Sequence, residues 1–283
     1  MQAQGSFLSH ALALVIRNPI SLAAFLMVAV LLILAAIGPS IVPYDPYQTD
    51  LSNTLAPPSA DHWFGTDQVG RDVLSRVVTA TRIDLMVAIA AVALSFAVGV
   101  TIGVSSGYFG GSLDRWVSRI TDMVQVFPLF VLAMALVAVL GSDMRNIVLA
   151  TAIVNLPFYV RLARAEAIVL RTQMFVEAAR VVGNSDLRIL RKVLLPNALP
   201  NLMIQLSVNL GWAILNAASL SFIGLGIRPP TAEWGIMVAE GATQVMAGNW
   251  WLVVFPGLFL TLTVFSFNLL GDALRDLFDT RTR

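Results

Sequence analysis

Six uncharged apolar runs dominate this sequence and limit the folds open to it. They cover residues 20–42, 85–106, 123–141, 146–160, 202–222 and 251–270. A helix needs about 20 apolar residues to cross the hydrocarbon core of a bilayer, and most of these runs are that long. With 57% hydrophobic and only 12% charged residues, the 283-residue chain does not have the composition of a soluble globular protein. We therefore predict an all-α polytopic membrane protein with six transmembrane helices.

The fourth of these runs is the shortest, and its 15 residues are too few to cross the membrane by themselves. It spans if its helix continues beyond Arg161 and that side chain extends to the interface. The first run is too long for the apolar part of a signal peptide, and we expect it to remain as an anchor. Of the 18 Lys and Arg residues, 13 then lie on the side of the two termini and 5 on the other side. This imbalance predicts that both termini are cytoplasmic.

The segment between the fourth and fifth runs is the most basic part of the chain. Seven of the 18 basic residues lie in residues 161–192. The pattern predicts that the fourth helix continues as far as Arg180 and that Gly183 ends it in a left-handed conformation. Ser185 is then the N-cap of a second, short helix that has Asp186 in its first turn. In that helix three leucines form an apolar stripe and three basic residues face away from it: Leu187, Leu190 and Leu194 against Arg188, Arg191 and Lys192.

The amphipathic pattern of this basic hairpin fits two interpretations, because both of them require one apolar and one basic face. The hairpin could lie on anionic lipid headgroups, or it could insert into a groove on a cytoplasmic protein. The pattern alone leaves both open. Two prolines, Pro196 and Pro200, are expected to break the helix before the fifth span begins.

Motifs for catalysis or for an energy source are missing from this sequence. It contains no G-x-x-x-x-G-K-[ST] phosphate-binding loop. No span has a charge at its middle, which argues against a proton relay, and none contains the Ser–His or paired-carboxylate set of a membrane hydrolase. With no cysteine and only His10 and His62, we expect no metal site. We therefore predict a protein that is not an enzyme.

A few polar and small residues interrupt the apolar runs. The polar residues that we name as a possible translocation path are Asn155, Gln205, Asn209 and Asn216. An asparagine in hydrocarbon either forms hydrogen bonds between helices, worth roughly 1 kcal/mol, or lines a wet path for a polar solute. Gly99, Gly103 and Gly107 form a ridge of small residues, which predicts that the second span packs closely against another helix.

Several motifs carry a resemblance to a known family. The order E-A-A, three residues, G, nine residues and an aliphatic-x-L-P ending resembles the cytoplasmic loop signature of ABC importer permease subunits. In this chain the signature is made of Glu177, Ala178, Ala179, Gly183, Val193, Leu195 and Pro196. Four further stretches are similar to the C-type permease of the dipeptide, oligopeptide and nickel importers: HWFGTDQVGRDVLSR from His62, GYFGGSLDRW from Gly107, SFIGLGIRPPTAEWG from Ser221 and FNLLGDALRDLFDTR from Phe267.

The resemblance implies the type I ABC importer permease fold with a cytoplasmic coupling helix. It implies a heterodimer with a homologous permease, two P-loop ATPase subunits that bind ATP and Mg²⁺, and an extracytoplasmic solute-binding protein that meets the loops 43–83 and 223–250. It also implies a bacterial inner membrane protein that binds no cofactor and no nucleic acid itself. The residues that would couple to the ATPase are Glu177, Ala178, Ala179, Gly183, Ser185, Asp186, Leu187, Arg188, Leu190 and Arg191.

On this basis we divide the chain into three parts. Residues 1–80 hold the first span and an extracytoplasmic loop, residues 81–271 hold five spans and the coupling loop 163–197, and residues 272–283 form a cytoplasmic tail. The leading solute is a di- or oligopeptide, with nickel, opines, glutathione and oligosaccharides as alternatives. The alternative function is that of a membrane scaffold or an ATP-independent secondary carrier, whose basic hairpin binds lipid headgroups.

Overall fold

The computed structural model describes residue 15 and residues 18–278, and within these residues the chain is helical without a β-sheet. The helices are α1 (Pro19–Ile41), α2 (Val73–Phe109), α3 (Gly111–Val126), α4 (Leu129–Leu140), α5 (Met144–Leu170), α6 (Met174–Val181), α7 (Asp186–Ile189), α8 (Leu195–Phe222), α9 (Trp234–Ala242) and α10 (Trp251–Phe278). A π-helical turn, Leu190–Leu194, joins α7 to α8. The ends of the terminal segments 1–80 and 272–283 lie outside the described residues.

The described residues hold five helices that are long and apolar enough to cross a membrane. They are α1, α2, α5, the continuous helix Asp186–Phe222, and α10. A sixth span exists only if α3 and α4 are counted together, and these two helices meet at an angle of 87°. Counted in this way, the structure agrees with the six spans predicted from the apolar runs.

The third predicted span is not a straight helix, and this part of the prediction was wrong in detail. Residues 123–141 are interrupted at Phe127 and Pro128, neither of which has a helical backbone conformation. A proline disfavours the helical conformation of the residue before it, which explains the break. The remaining helix, α4, has 12 residues. At 1.5 Å per residue it is about 18 Å long, whereas the hydrocarbon core is about 30 Å thick.

The fourth span is longer than its apolar run, as predicted. Helix α5 has 27 residues and continues beyond Arg161 to Leu170. It does not reach Arg180, because a turn interrupts the helix before α6 begins at Met174. The prediction of one helix through residues 161–180 was therefore wrong.

Pro196 and Pro200 do not break the chain before the fifth span, contrary to expectation. Pro196 lies in the first turn of α8, directly after the π-helical turn. Because the helix is continuous from Asp186 to Phe222, the missing N–H of Pro196 interrupts the hydrogen-bond ladder without ending the helix. Pro200 lies within α8, and the helix continues past it to Phe222.

The glycine ridge of α2 packs against α5 of the same chain. A Cβ atom on Gly103 would lie 2.4 Å from the carbonyl oxygen of Val160, and one on Gly107 would lie 2.5 Å from that of Arg164. Gly99 has the same role against Tyr159. The two backbones can approach this closely only because these positions carry no side chain.

Residues 43–72 and α9 pack together at the end of the bundle where α2 begins, and we call them the loop platform. Phe64 stacks on Phe255 of α10 with ring centroids 3.9 Å apart. Arg71 forms an ion pair of 2.6 Å with Asp67. Arg76, which is buried on α2, lies 3.5 Å from Asp67 and 3.7 Å from Glu240 of α9. These contacts tie the platform to the helices beneath it.

Candidate functional site

The predicted coupling residues lie on one helical hairpin, residues 174–194, which we call the docking hairpin. Gly183 ends its first helix with φ +84°. The Gly183 N–H bonds to the carbonyl of Arg180 at 2.9 Å, and the Asn184 N–H bonds to that of Ala179 at 3.2 Å. These two bonds form a Schellman motif, which explains why a residue without a Cβ is favoured at this turn. The expectation that Gly183 ends a helix in a left-handed conformation is confirmed.

The second arm of the hairpin begins at Ser185, which occupies the predicted N-cap position of α7. Its hydroxyl forms no capping hydrogen bond. Asp186 is in the first turn, and its carboxylate accepts a hydrogen bond of 2.6 Å from the hydroxyl of Tyr108 near the end of α2. The guanidinium of Arg180, on the first arm, lies 5.3 Å from the centre of the Tyr108 ring. Tyr108 therefore connects both arms of the hairpin to α2.

Tyr108 is a site residue that the sequence reasoning missed. The stretch GYFGGSLDRW, which contains it, contributed to the family resemblance, but nothing in its spacing predicts a contact with Asp186. The two residues are 78 positions apart in the chain. An aromatic residue with a polar end, placed where a long helix leaves the membrane, was the available signal.

The buried face of the docking hairpin differs from the predicted leucine stripe. Leu190 and Leu194 are buried as expected, but Leu187 is exposed and Ile189 takes its place inside. The cause is the π-helical turn, whose wider spacing puts Ile189 and Leu194, five positions apart, on the same face. Val176 of α6 is buried against the same cluster.

The opposite surface of the hairpin leaves four apolar side chains largely exposed. Their exposed fractions are 85% for Met174, 87% for Val181, 80% for Val182 and 60% for Leu187. The charged or small residues of the predicted site that are also exposed are Glu177, Ala178, Ser185, Asp186, Arg188 and Arg191, while Ala179 is half-buried and Leu190 is buried. A concentration of exposed apolar side chains of this kind is typical of a surface that a partner covers.

The four polar residues proposed for a path lie in the interior of the bundle or near it. Asn155, Asn209 and Asn216 are buried, and Gln205 is half-buried. Within the described part of the chain, the amide nitrogens of the three asparagines have no hydrogen-bond partner. The interhelical bonds considered for them are therefore not formed by these nitrogens, and their place in a path stays a prediction.

Two features concern metal binding and buried charge. Among residues 18–278, no group of three or more His, Cys, Asp or Glu side chains is placed to hold a metal ion. His62 instead lies 2.9 Å from the carboxylate of Asp72 in the loop platform. Asp84, the residue directly before the second apolar run, is buried about three turns inside α2, where its carboxylate accepts the N–H of Trp234 at 3.1 Å.

The arrangement of the helices matches that of a solved transporter. The chain is similar to a structure described as "Inward facing conformations of the MetNI methionine ABC transporter", with a TM-score of 0.59 and 21% identity. The match covers 71% of this chain and 96% of that one. The fold of this chain is therefore similar to that of a type I ABC importer permease.

The family follows from the sequence comparisons. Residues 99–283 match the family model "Binding-protein-dependent transport system inner membrane component", and residues 6–58 match "N-terminal TM domain of oligopeptide transport permease C". The chain therefore belongs to the binding-protein-dependent transport system inner membrane component family. The resemblance drawn from the motifs is confirmed, and the protein is a transporter component of the inner membrane with its ATPase on separate subunits.

Three relatives illustrate the range of named substrates within this family. The probable D,D-dipeptide transport system permease protein DdpC of Escherichia coli (strain K12) is 43% identical over 93% of this chain and 88% of its own length. The dipeptide transport system permease protein DppC of Alkalihalophilus pseudofirmus is 38% identical, over 94% and 88%. The glutathione transport system permease protein GsiD of Escherichia coli O6:K15:H31 is 42% identical, also over 94% and 88%.

Proposed function

We propose that this permease subunit carries di- or oligopeptides across the inner membrane as half of a heterodimer with a homologous permease. Relatives at 38–43% identity are named for transport of a D,D-dipeptide, a dipeptide and glutathione, which are all small molecules with peptide bonds. The translocation path would include Asn155, Gln205, Asn209 and Asn216. Solute selection would rest mainly with an extracytoplasmic binding protein that contacts the loop platform.

The docking hairpin would insert into a groove on one of two ATPase subunits, which bind ATP and Mg²⁺. The observation that carries this proposal is its exposed apolar surface, formed by Met174, Val181, Val182 and Leu187 on a hairpin with a buried base. Closure of the ATPase pair would push the hairpin, and Tyr108 would pass the movement to α2 through Asp186 and Arg180. Helix α2 has 37 residues and connects this contact at one end with the loop platform at the other.

The proposed orientation has both termini in the cytoplasm. It is supported by the excess of basic residues on the side of the docking hairpin. Three of the residues in that count, Arg17, Arg281 and Arg283, lie outside the described residues. The apolar, exposed residues of α1 would face membrane lipid, as Leu26, Val30 and Ile33 illustrate. We keep the division into residues 1–80, 81–271 and 272–283 as part of this proposal.

The experiment that tests the docking proposal replaces Gly183 by Asp and, separately, Glu177 by Lys. A Cβ on Gly183 would meet no atom within 4 Å, so the change strains only the backbone, by roughly 1–2 kcal/mol. Gly141→Asp is the matched control, because Gly141 also has positive φ and lies outside the hairpin, and its Cβ would make an ordinary contact of 3.6 Å with Nδ2 of Asn146. The chain is co-expressed with its partner subunits, and membrane level, co-purified ATPase and peptide uptake are measured.

We expect all three variants to reach the membrane at the wild-type level. Gly183→Asp and Glu177→Lys should lose ATPase co-purification and uptake, whereas Gly141→Asp should keep both. Normal uptake in both hairpin variants would refute the docking role. Uptake that survives ATP depletion, in extracts without an ATPase, would favour the secondary carrier instead.

A further inference from the structure

Two carboxyl groups from distant parts of the chain meet beneath the loop platform. Asp84 of α2 and Glu233, the residue before α9, are only 2% and 1% exposed. The two carboxyl groups meet at one helix end, because Asp84 accepts the N–H of Trp234 and Glu233 is the residue directly before Trp234. Two carboxylates that are both ionised cannot hydrogen-bond to each other, because neither has a proton to donate.

Both groups point at the same helix end. Asp84 accepts the N–H of Trp234 at 3.1 Å, and Glu233 accepts the N–H groups of Gly235 and Ile236 at 2.9 and 2.8 Å. Three N–H groups in the first turn of α9 therefore donate hydrogen bonds to the two carboxyl groups. The dipole of α9 adds about half a positive charge at this end of the helix.

No cation among the described residues balances the second negative charge. Arg76, the buried arginine of α2, is paired with Asp67 and Glu240 of the loop platform instead. Helices α1 and α8 carry no ionisable side chain. The remaining arginines on the elements around the pair are exposed to solvent and form no ion pair with it: Arg82 on α2, Arg145 on α5 and Arg228 in the segment before Glu233.

We propose that Asp84 and Glu233 bind one proton between them and that this shared proton fastens α9 to α2. One carboxyl is then the donor and the other the acceptor, so every polar atom of the pair has a partner and only one negative charge faces the helix end. Losing the proton would place two like charges side by side in a buried site. The pair is thus a proton-binding site at the junction of the loop platform with a membrane-spanning helix.

The electrostatics of Glu233 agree with this geometry. Burial raises its pKa above the ordinary value, although the N–H groups of Ile236 and Gly235 act in the opposite direction. A carboxyl with these properties keeps a proton at a pH where an exposed glutamate has lost it.

The test is infrared spectroscopy of the full chain at neutral pH, in a detergent that contains no carbonyl group. A protonated carboxyl has a C=O stretching band that is separate from the bands of carboxylates. We expect this band in the wild type and its loss in Asp84→Asn and in Glu233→Gln, since each amide replaces the shared proton with its own N–H donor. Asp61→Asn, at an exposed carboxylate of the same loop platform, is the matched control and should keep the band.

Absence of the band in the wild type at neutral pH would overturn the proposal, and so would its survival in both pair variants. If sodium ions stabilise the wild type while the band is absent, the pair binds a cation instead of a proton, which is also a refutation. Should either variant fail to fold, titration of the wild type decides alone, because the band must disappear as the pH is raised.

Discussion

The contact between α2 and α5 makes a quantitative prediction about a single methyl group. In Gly103→Ala the new Cβ would lie 2.4 Å from the carbonyl oxygen of Val160, 2.9 Å from the Cβ of Ala163 and 3.0 Å from the backbone nitrogen of Arg164. Observed Cβ atoms essentially never approach within 3.0 Å of another heavy atom, so the two helices must separate by at least 0.6 Å, the difference between 3.0 and 2.4 Å. Two of the three atoms belong to the backbone and cannot rotate away.

The cost follows from this separation. Overpacking by one methyl group costs about 1–3 kcal/mol, and the better helix propensity of alanine returns up to about 1 kcal/mol. We expect a net loss of about 1–2 kcal/mol, because the ridge extends over about two turns and every pair along it is pulled apart together. The assay is thermal unfolding of the purified chain in lipid nanodiscs.

The matched control is the same substitution at Gly257 within α10. A Cβ on Gly257 would meet no atom within 4 Å, so Gly257→Ala gains helix propensity without a clash. We expect the two alanine variants to shift the midpoint of unfolding in opposite directions. The reasoning is refuted if Gly103→Ala is as stable as the wild type, or if Gly257→Ala is destabilised by a similar amount.

Two further predictions concern the loop platform and the docking hairpin. Because the pKa of Glu233 is raised in the folded protein, its contribution to stability is fully present below the unfolded pKa and is lost as the pH rises through the folded one. The unfolding midpoint of the wild type should therefore fall as the pH rises above the unfolded pKa of this glutamate, and that of Glu233→Gln should fall less. In Tyr108→Phe the hydrogen bond to Asp186 is lost while the ring remains. Trypsin should therefore cleave the docking hairpin faster at Arg180 and Arg188. Cleavage at the wild-type rate would mean that the Tyr108 hydroxyl does not stabilise the hairpin.

Much of the site could be predicted because it is encoded locally. The turn at Gly183 depends on a few adjacent residues, and the signature that starts at Glu177 has fixed spacing along the chain. The hydrophobic spacing did not predict the π-helical turn after Ile189, whose Leu190 and Leu194 pack in one cluster with residues of α2 and α5. The exposure of Leu187 follows from that turn, and so does the failure of the leucine stripe.

The membrane class, the number of spans and the position of the basic hairpin were determined by the sequence alone. Hydrophobicity, run length and charge are properties of contiguous residues, and the bilayer acts on them directly. Only the tertiary structure decided that Pro128 turns the third span into two helices at 87°, and that the glycine ridge packs within its own chain. It also brought Tyr108 to Asp186 and Asp84 to Glu233, because such pairs form when the helices pack and have no signal in the spacing of the chain.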